Sequence, residues 1–404
     1  MSVKKLIVVL AASSFLGGSG YGIMLPLLPK YADVLGASPF VITLIVGAFP
    51  LFKMGTTYIL GFFYNRFDGK HLLIIGLGLG SVSAFFVAHS TEWTSLLLLR
   101  MVMGVGSGTA GLASSTILSV VLKESDKKGK YFGMLSSLSF ISSMMVGPFL
   151  AALFYTALGD LSLIFVVIGL LFLMSVGVIV VFLDSQKIDS PSLSLNEVVT
   201  QIKGEVQSLV KPGSFRYSIN AIGLVQGGAV GFLSSVIMIF LYTDIGMSVQ
   251  EVGLLMMTAG IFGVVCRPLV GHVCDTLDKV VVAASGFLAR IVAVLLLLLA
   301  LRMDSPFFFI FLGAVFYTYA TASINLSLLT LVSQTEQKER MGMTMSRLSV
   351  ASSTGELVIP PVGGLLYQET IHEAPLYFLI VTCVAAFPMI RLLQKSTNTG
   401  EGLE

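Results

Sequence analysis

From one end of the chain to the other, apolar runs of 18 or more residues alternate with short polar bursts. Each run is long enough, at ~1.5 Å of rise per residue, to cross a hydrocarbon core of ~30 Å. With no water there, the backbone must satisfy its own hydrogen bonds, which leaves helices or the strands of a closed barrel. Barrel strands alternate apolar and polar positions. These runs are apolar throughout, so the pattern predicts helices, placed at 6–29, 40–63, 71–89, 93–121, 131–156, 160–183, 214–243, 249–273, 279–301, 306–332, 343–367 and 373–393.

The halves echo one another. "YADVLGAS" (31–38) ends the first helix and "YTDIGMS" (242–248) ends the seventh. The burst "GFFYNRFDGK" (61–70) follows the second helix, and "GHVCDTLDK" (271–279) follows the eighth. The expected fold is therefore an all-α membrane protein of 12 transmembrane helices in two pseudo-symmetric six-helix bundles, residues 1–183 and 214–404. Between them, Leu195, Val198, Val199, Ile202, Val206 and Leu209 recur at helical spacing, with Ser194 and Glu197 as a capping box. Residues 184–213 are read as a cytoplasmic linker carrying an amphipathic helix against the inner membrane face. A solvated linker helix accounts for the same spacing.

Composition agrees with the pattern. Of the 404 residues 55% are apolar and 11% charged, against about 25% charged in average soluble domains. A net charge of +2 points to no strongly acidic or basic partner and to no nucleic acid. Cys266, Cys274 and Cys383 have no metal-ligand spacing and read as small core residues, with no disulfide framework and no metal site. Lysine and arginine fix the orientation. With the N-terminus inside, the inner segments carry Lys4, Lys5, Arg66, Lys70, Lys123, Lys127, Lys279, Arg391 and others, while the outer segments carry Lys30 and Arg302. A multi-pass protein of the plasma (inner) membrane with both termini cytoplasmic is expected. The first apolar run lacks a small-residue cleavage site and is read as a retained helix rather than a signal peptide.

Charges inside predicted helices are Lys53, Arg100, Arg267, Arg290, Arg347 and one acid, Glu356. A charge at mid-bilayer is costly and marks a cavity or a partner. Arg267 and Arg347 lie near helix ends and can snorkel. Uncharged polar groups within the helices are Ser19, Tyr21, Asn220, Gln226, Tyr317, Tyr319, Asn325 and Ser353, with others nearby. Apolar walls with a few hydrogen-bonding groups suit an amphipathic organic ligand, though any single member of the set is as readily a packing residue. "GLVQGGAVG" (223–231) reads as close helix contact.

The chain resembles the major facilitator superfamily. Its pattern G-x-L-A-D-R-x-G-R-K is matched at Gly61, Arg66 and Lys70, with Asn65 at the aspartate position and Asp68 at the second glycine. The second copy keeps Gly271 and Asp275, preceded by Arg267. "RMVMGVGSG" resembles the R-x-x-x-G motif through Arg100 and Gly104, and "MVGPFLAA" resembles the drug/proton antiporter signature through Gly147 and Pro148. The resemblance implies a secondary active transporter, not an enzyme, that couples proton entry to export (antiport) of an amphipathic small molecule or drug by alternating access. Another cargo (an anionic metabolite, metallophore, sugar or lipid), moved by symport or uniport, is the alternative. The bursts at 61–70 and 271–279 would form a cytoplasmic gate whose glycines let helices approach closely, although Arg66 and Lys70 are equally accounted for by topology. In this family helices 2 and 11 meet, so Lys53 and Glu356 are expected to pair in at least one state; a static ion pair, or Lys53 turned into a wet cavity to bind an anionic substrate, accounts for the same placement. The usual acids of helices 1 and 4 are missing, which puts proton coupling on Glu356, Lys53 and Arg100. No cofactor is expected beyond the proton; the expected partners are the small-molecule substrate and membrane lipid, and the chain is expected to act as a monomer.

Overall fold

A computed structural model of the chain describes residues 3–63, 67–121, 128–185, 215–303, 306–335 and 338–399. Twelve long helices make up the described residues: α1 (Val3–Val34), α2 (Pro39–Phe63), α3 (Gly69–Ala88), α4 (Trp93–Val121), α5 (Lys128–Ile141, continuing through Ser142–Val146 to Gly147–Leu158), α6 (Leu161–Phe182), α7 (Phe215–Phe232, continuing through Leu233–Ile237 to Met238–Thr243), α8 (Val249–Thr276), α9 (Lys279–Ala300), α10 (Phe307–Thr335), α11 (Lys338–Glu369) and α12 (Ala374–Thr399). The linker helix expected at 194–209 falls outside the described residues, as do Asn65 and Arg66.

The helices follow the apolar pattern, with three differences. First, α1 runs on to Val34 through Pro26 and Pro29. A proline in a helix interior costs ~3 kcal/mol, but Ile23, Leu27, Leu28, Tyr31 and Ala32 are all buried, and that packing carries the helix on. Second, α5 and α7 each contain a π turn, Ser142–Val146 and Leu233–Ile237. The first precedes Pro148, which has no N–H to continue the ladder. In both, serines bond the loosened carbonyls: Ser143 Oγ donates to Ser139 O at 2.7 Å and Ser235 Oγ to Gly231 O at 2.7 Å. Third, 11 helices are apolar and long enough to span a membrane, and α11 falls short of that measure among the described residues. Its polar content, Arg347 and Glu356 among several hydroxyls, dilutes its hydropathy.

The chain divides into two compact units: Met1–Ala37, Ala48–Val198 and Ser248–Met257 in unit 1, and Ser38–Gly47, Val199–Met247 and Thr258–Glu404 in unit 2. The same helix pairs pack in each. In unit 1, α3 packs on α4, α3 on α6, α1 on α6 and α1 on α5. In unit 2, α9 packs on α10, α9 on α12, α7 on α12 and α7 on α11. The ends of corresponding helices repeat as well. Gly36 closes α1 at φ +78° and Gly246 closes α7 at φ +74°, a left-handed conformation that glycine adopts without a Cβ penalty. Asp68 caps α3 by accepting from Lys70 N, and Asp278 caps α9 by accepting from Val280 N, both at 2.8 Å. The two polar bursts are thus helix starts of one kind.

Small residues set the seams. In α7, a Cβ on Gly227 would collide with the backbone of Ser352, and one on Gly231 would stand 2.8 Å from Pro360 and 2.9 Å from Glu356 O, both on α11. This bears out the close contact read from "GLVQGGAVG". In unit 1, Gly76 of α3 and Gly106 of α4 meet backbone to backbone. Gly61 and Gly271 differ from expectation: a Cβ on either would meet nothing within 4 Å among the described residues.

Apolar side chains face outward along the helices, with Val181 70%, Val8 66% and Leu269 64% exposed. Outward greasy faces of this extent suit a hydrocarbon solvent. Cys266, Cys274 and Cys383 are buried and free.

Candidate functional site

In unit 1, α1–α6 line an open cavity of about 520 Å³. Its position follows from the helix 4 motif. Arg100, Gly104 and Gly108 recur every fourth residue on one face of α4. A Cβ on Gly104 would lie 2.6 Å from Phe49 O and 3.1 Å from Lys53 N, and one on Gly108 2.5 Å from Lys53 O. The glycines therefore let α2 lie directly on α4, which brings Phe49 and Lys53 beside Arg100.

Phe49 is the centre of the arrangement. The Arg100 guanidinium carbon lies 4.6 Å from its ring centroid and Lys53 Nζ 5.9 Å from it. Tyr21 of α1 stacks on the same ring, with centroids 5.0 Å apart. Aromatic faces attract cations, and this pair of rings holds two of them at the cavity wall. Arg100 is only 3% exposed. Its guanidinium hydrogen-bonds the Tyr21 side chain, its Nη1 donates to Met24 Sδ at 3.1 Å, a weak acceptor, and its Nε has no partner among the described residues. Lys53 is exposed.

The rest of the lining is hydroxyl-rich and uncharged, with Ser13 and Ser14 from α1, Ser107 and Ser114 from α4, and Ser136, Ser139 and Ser143 from α5; Phe172 of α6 adds an aromatic surface. Among the described residues no carboxylate lines the cavity. The described acids of unit 1 stand at helix ends instead: Asp33, Asp68, Glu92, Asp160, Asp184 and Glu251. None of them pairs with Lys53 or Arg100.

Tyr21, Lys53 and Arg100 are thus brought together, while Ser19 lies on another face of α1, 3% exposed, with its Oγ unpartnered among the described residues. Within the polar bursts, Asp68 and Lys70 bond inside unit 1: Asp68 to Ser185 Oγ, and Lys70 Nζ to Val180 O at 3.0 Å. Gly147 of the antiporter-type motif lies against Gly22 of α1, and Pro148 O faces Gly253 of α8. The motif's glycine and proline therefore shape helix crossings.

Unit 2 holds the other expected residues. Glu356 is half-buried on α11, its backbone against Gly231 of α7 and Gly47 of α2. Asn220 and Gln226 are 9% and 1% exposed on α7, and neither amide atom of Gln226 has a partner among the described residues. Tyr317 donates to Ala229 O across the α7–α10 seam. Tyr319 faces Ser285 at 3.0 Å. Asn325 and Ser353 are half-buried on α10 and α11, and Arg267 is half-buried on α8. Arg290 is fully buried on α9, donating to Thr321 at 3.2 Å with its guanidinium 5.1 Å from the Tyr317 ring. Sequence reading missed Phe49, which is one apolar residue among many until its neighbours are known. It also gave the serines that line the cavity, Ser13, Ser14, Ser107 and Ser139 among them, no role; their recurrence along α1, α4 and α5 was the available signal.

Residues 10–240 and 219–402 match the Major Facilitator Superfamily. The quinolone resistance protein NorA of Staphylococcus aureus (strain MSSA476) is 26% identical over 404 residues, spanning 97% of both chains. Among solved structures, a mutant of the peptide transporter POT in complex with sulfate has a TM-score of 0.80 at 12% identity, covering 97% of this chain and 94% of that one. The nucleoside transporter NupG has a TM-score of 0.79 at 14% identity, covering 96% and 99%. The twelve-helix fold, its internal repeat and the family match lead to one assignment: the chain belongs to the Major Facilitator Superfamily and is a multi-pass membrane transporter.

Proposed function

We propose that the chain exports amphipathic small molecules in exchange for protons, by alternating access. The observation that carries this reading is the cavity of unit 1, where stacked aromatic rings, two methionines and hydroxyls line a space of about 520 Å³. Such a lining accepts an apolar body and a few polar groups. The likeness to NorA proteins, whose name records quinolone resistance, over 97% of the chain supports a drug-like cargo.

The proton would be carried by Glu356, the one acid in the middle of a described helix. Lys53 and Arg100 would sense its charge, Lys53 by pairing with Glu356 in one state of the cycle. Tyr21, Asn220, Gln226, Asn325 and Ser353 would supply hydrogen bonds to cargo. Both termini lie in the cytoplasm in this proposal, as the lysine and arginine distribution requires, and the working unit is the monomer.

The test is a cargo panel, quinolones included, in everted membrane vesicles under an imposed pH gradient. Accumulation of at least one amphipathic compound that collapses with the gradient is expected. Accumulation indifferent to the gradient sinks the coupling, and transport of none of the panel sinks the cargo class.

A further inference from the structure

We infer that the cargo is an organic anion, its carboxylate held at the Lys53–Arg100 end of the unit 1 cavity and its apolar body laid along the Phe49–Tyr21 wall; this rests on the transport reading above.

Four observations lead there. Among the described residues the charged groups lining the cavity are Lys53 and Arg100, both cations. Neither has a carboxylate partner in its own unit among the described residues. Arg100 is 3% exposed, bonded to the Tyr21 side chain and the Met24 thioether, and its Nε meets no partner among the described residues. A buried guanidinium so placed gains most from an anion, because a carboxylate replaces a missing acceptor and a missing counter-charge together. Finally, both cations address the one Phe49 ring, at 4.6 and 5.9 Å, which places them at the same part of the cavity wall. Hydroxyls such as Ser107 and Ser139 are at hand for the remaining lone pairs. A cationic amphiphile would meet two like charges in a confined space with no acid to offset them.

Lys53 is the residue that sets charge preference. Arg100 is packed into the α1–α2–α4 contact, whereas Lys53 is exposed and can be changed with the fold intact.

The test is equilibrium binding to the purified full-length protein in detergent, with no gradient present. Three fluorescent probes share one aromatic body: dansylglycine (anion), dansylglycinamide (neutral) and dansylethylenediamine (cation). Dansylglycine should bind about tenfold tighter than the amide, with the cation weakest. Lys53→Gln should bring the carboxylate within about twofold of the amide, and Lys53→Arg should keep the preference. Lys53→Glu should reverse the order. Equal affinity for the three probes, a best-bound cation, no binding of dansylglycine, or a preference that survives Lys53→Gln overturns the proposal. A Lys53-dependent preference in a protein that moves no cargo would leave this inference standing and remove the transport reading. Gradient-driven export of dansylethylenediamine, with no preference for the carboxylate, would do the reverse.

Discussion

Gly104 of α4 rests on the backbone of Lys53 in α2, at a point where a Cβ would stand 3.1 Å from the Lys53 nitrogen and 2.6 Å from Phe49 O. Backbone cannot give way as a side-chain tip can. Gly104→Leu should therefore push α2 off α4 and cost about 1–3 kcal/mol, the usual range for overpacking. Melting of the detergent-solubilised protein checks this, with Gly78→Ala as control, since a Cβ there meets nothing within 4 Å. The control should melt within a degree or two of the parent or slightly above it.

The α7–α11 seam should be as intolerant. A side chain on Gly227 has to enter the Ser352 backbone. Gly227→Val should destabilise unit 2 by at least as much as Gly104→Leu does unit 1. A variant that melts like the parent would mean that the seam can open without loss.

Asp68 and Asp278 hold corresponding places in the two halves, each accepting a backbone N–H at 2.8 Å. Loss of such a cap costs ~1 kcal/mol. Asp278→Ala should show about that loss. Asp68→Ala should show more, because Asp68 also accepts from Ser185 and lies 3.9 Å from His71. Melting midpoints of the two variants side by side decide the order.

The sequence carried the helices because hydrophobic runs of membrane length have few alternatives. The repeat was visible too, in "YADVLGAS" against "YTDIGMS", and Gly36 and Gly246 close their helices with nearly the same φ. The π turns of α5 and α7 were not legible, since a wider turn changes no residue's hydropathy. Among the described residues a Cβ on Gly61 or Gly271 meets nothing within 4 Å, whereas one on Gly104 or Gly108 meets backbone. Lys53 and Arg100 stood out as charges in apolar runs. That both address Phe49 depends on how α2 lies on α4, and only packing reveals it.

The coupling claim concentrates on Glu356, whose carboxyl group is the proposed proton carrier. Glu356→Gln keeps the size and polarity of the side chain and removes its ability to ionise. The variant should purify and melt like the parent while losing the coupled step.

Proton movement in sealed liposomes, followed with an internal pH dye on adding an exported cargo, compares the two proteins most directly. The account predicts a cargo-dependent pH change with the parent protein and none with Glu356→Gln, at equal cargo binding. An undiminished pH change in the variant, or cargo movement without any pH change in the parent, would contradict it.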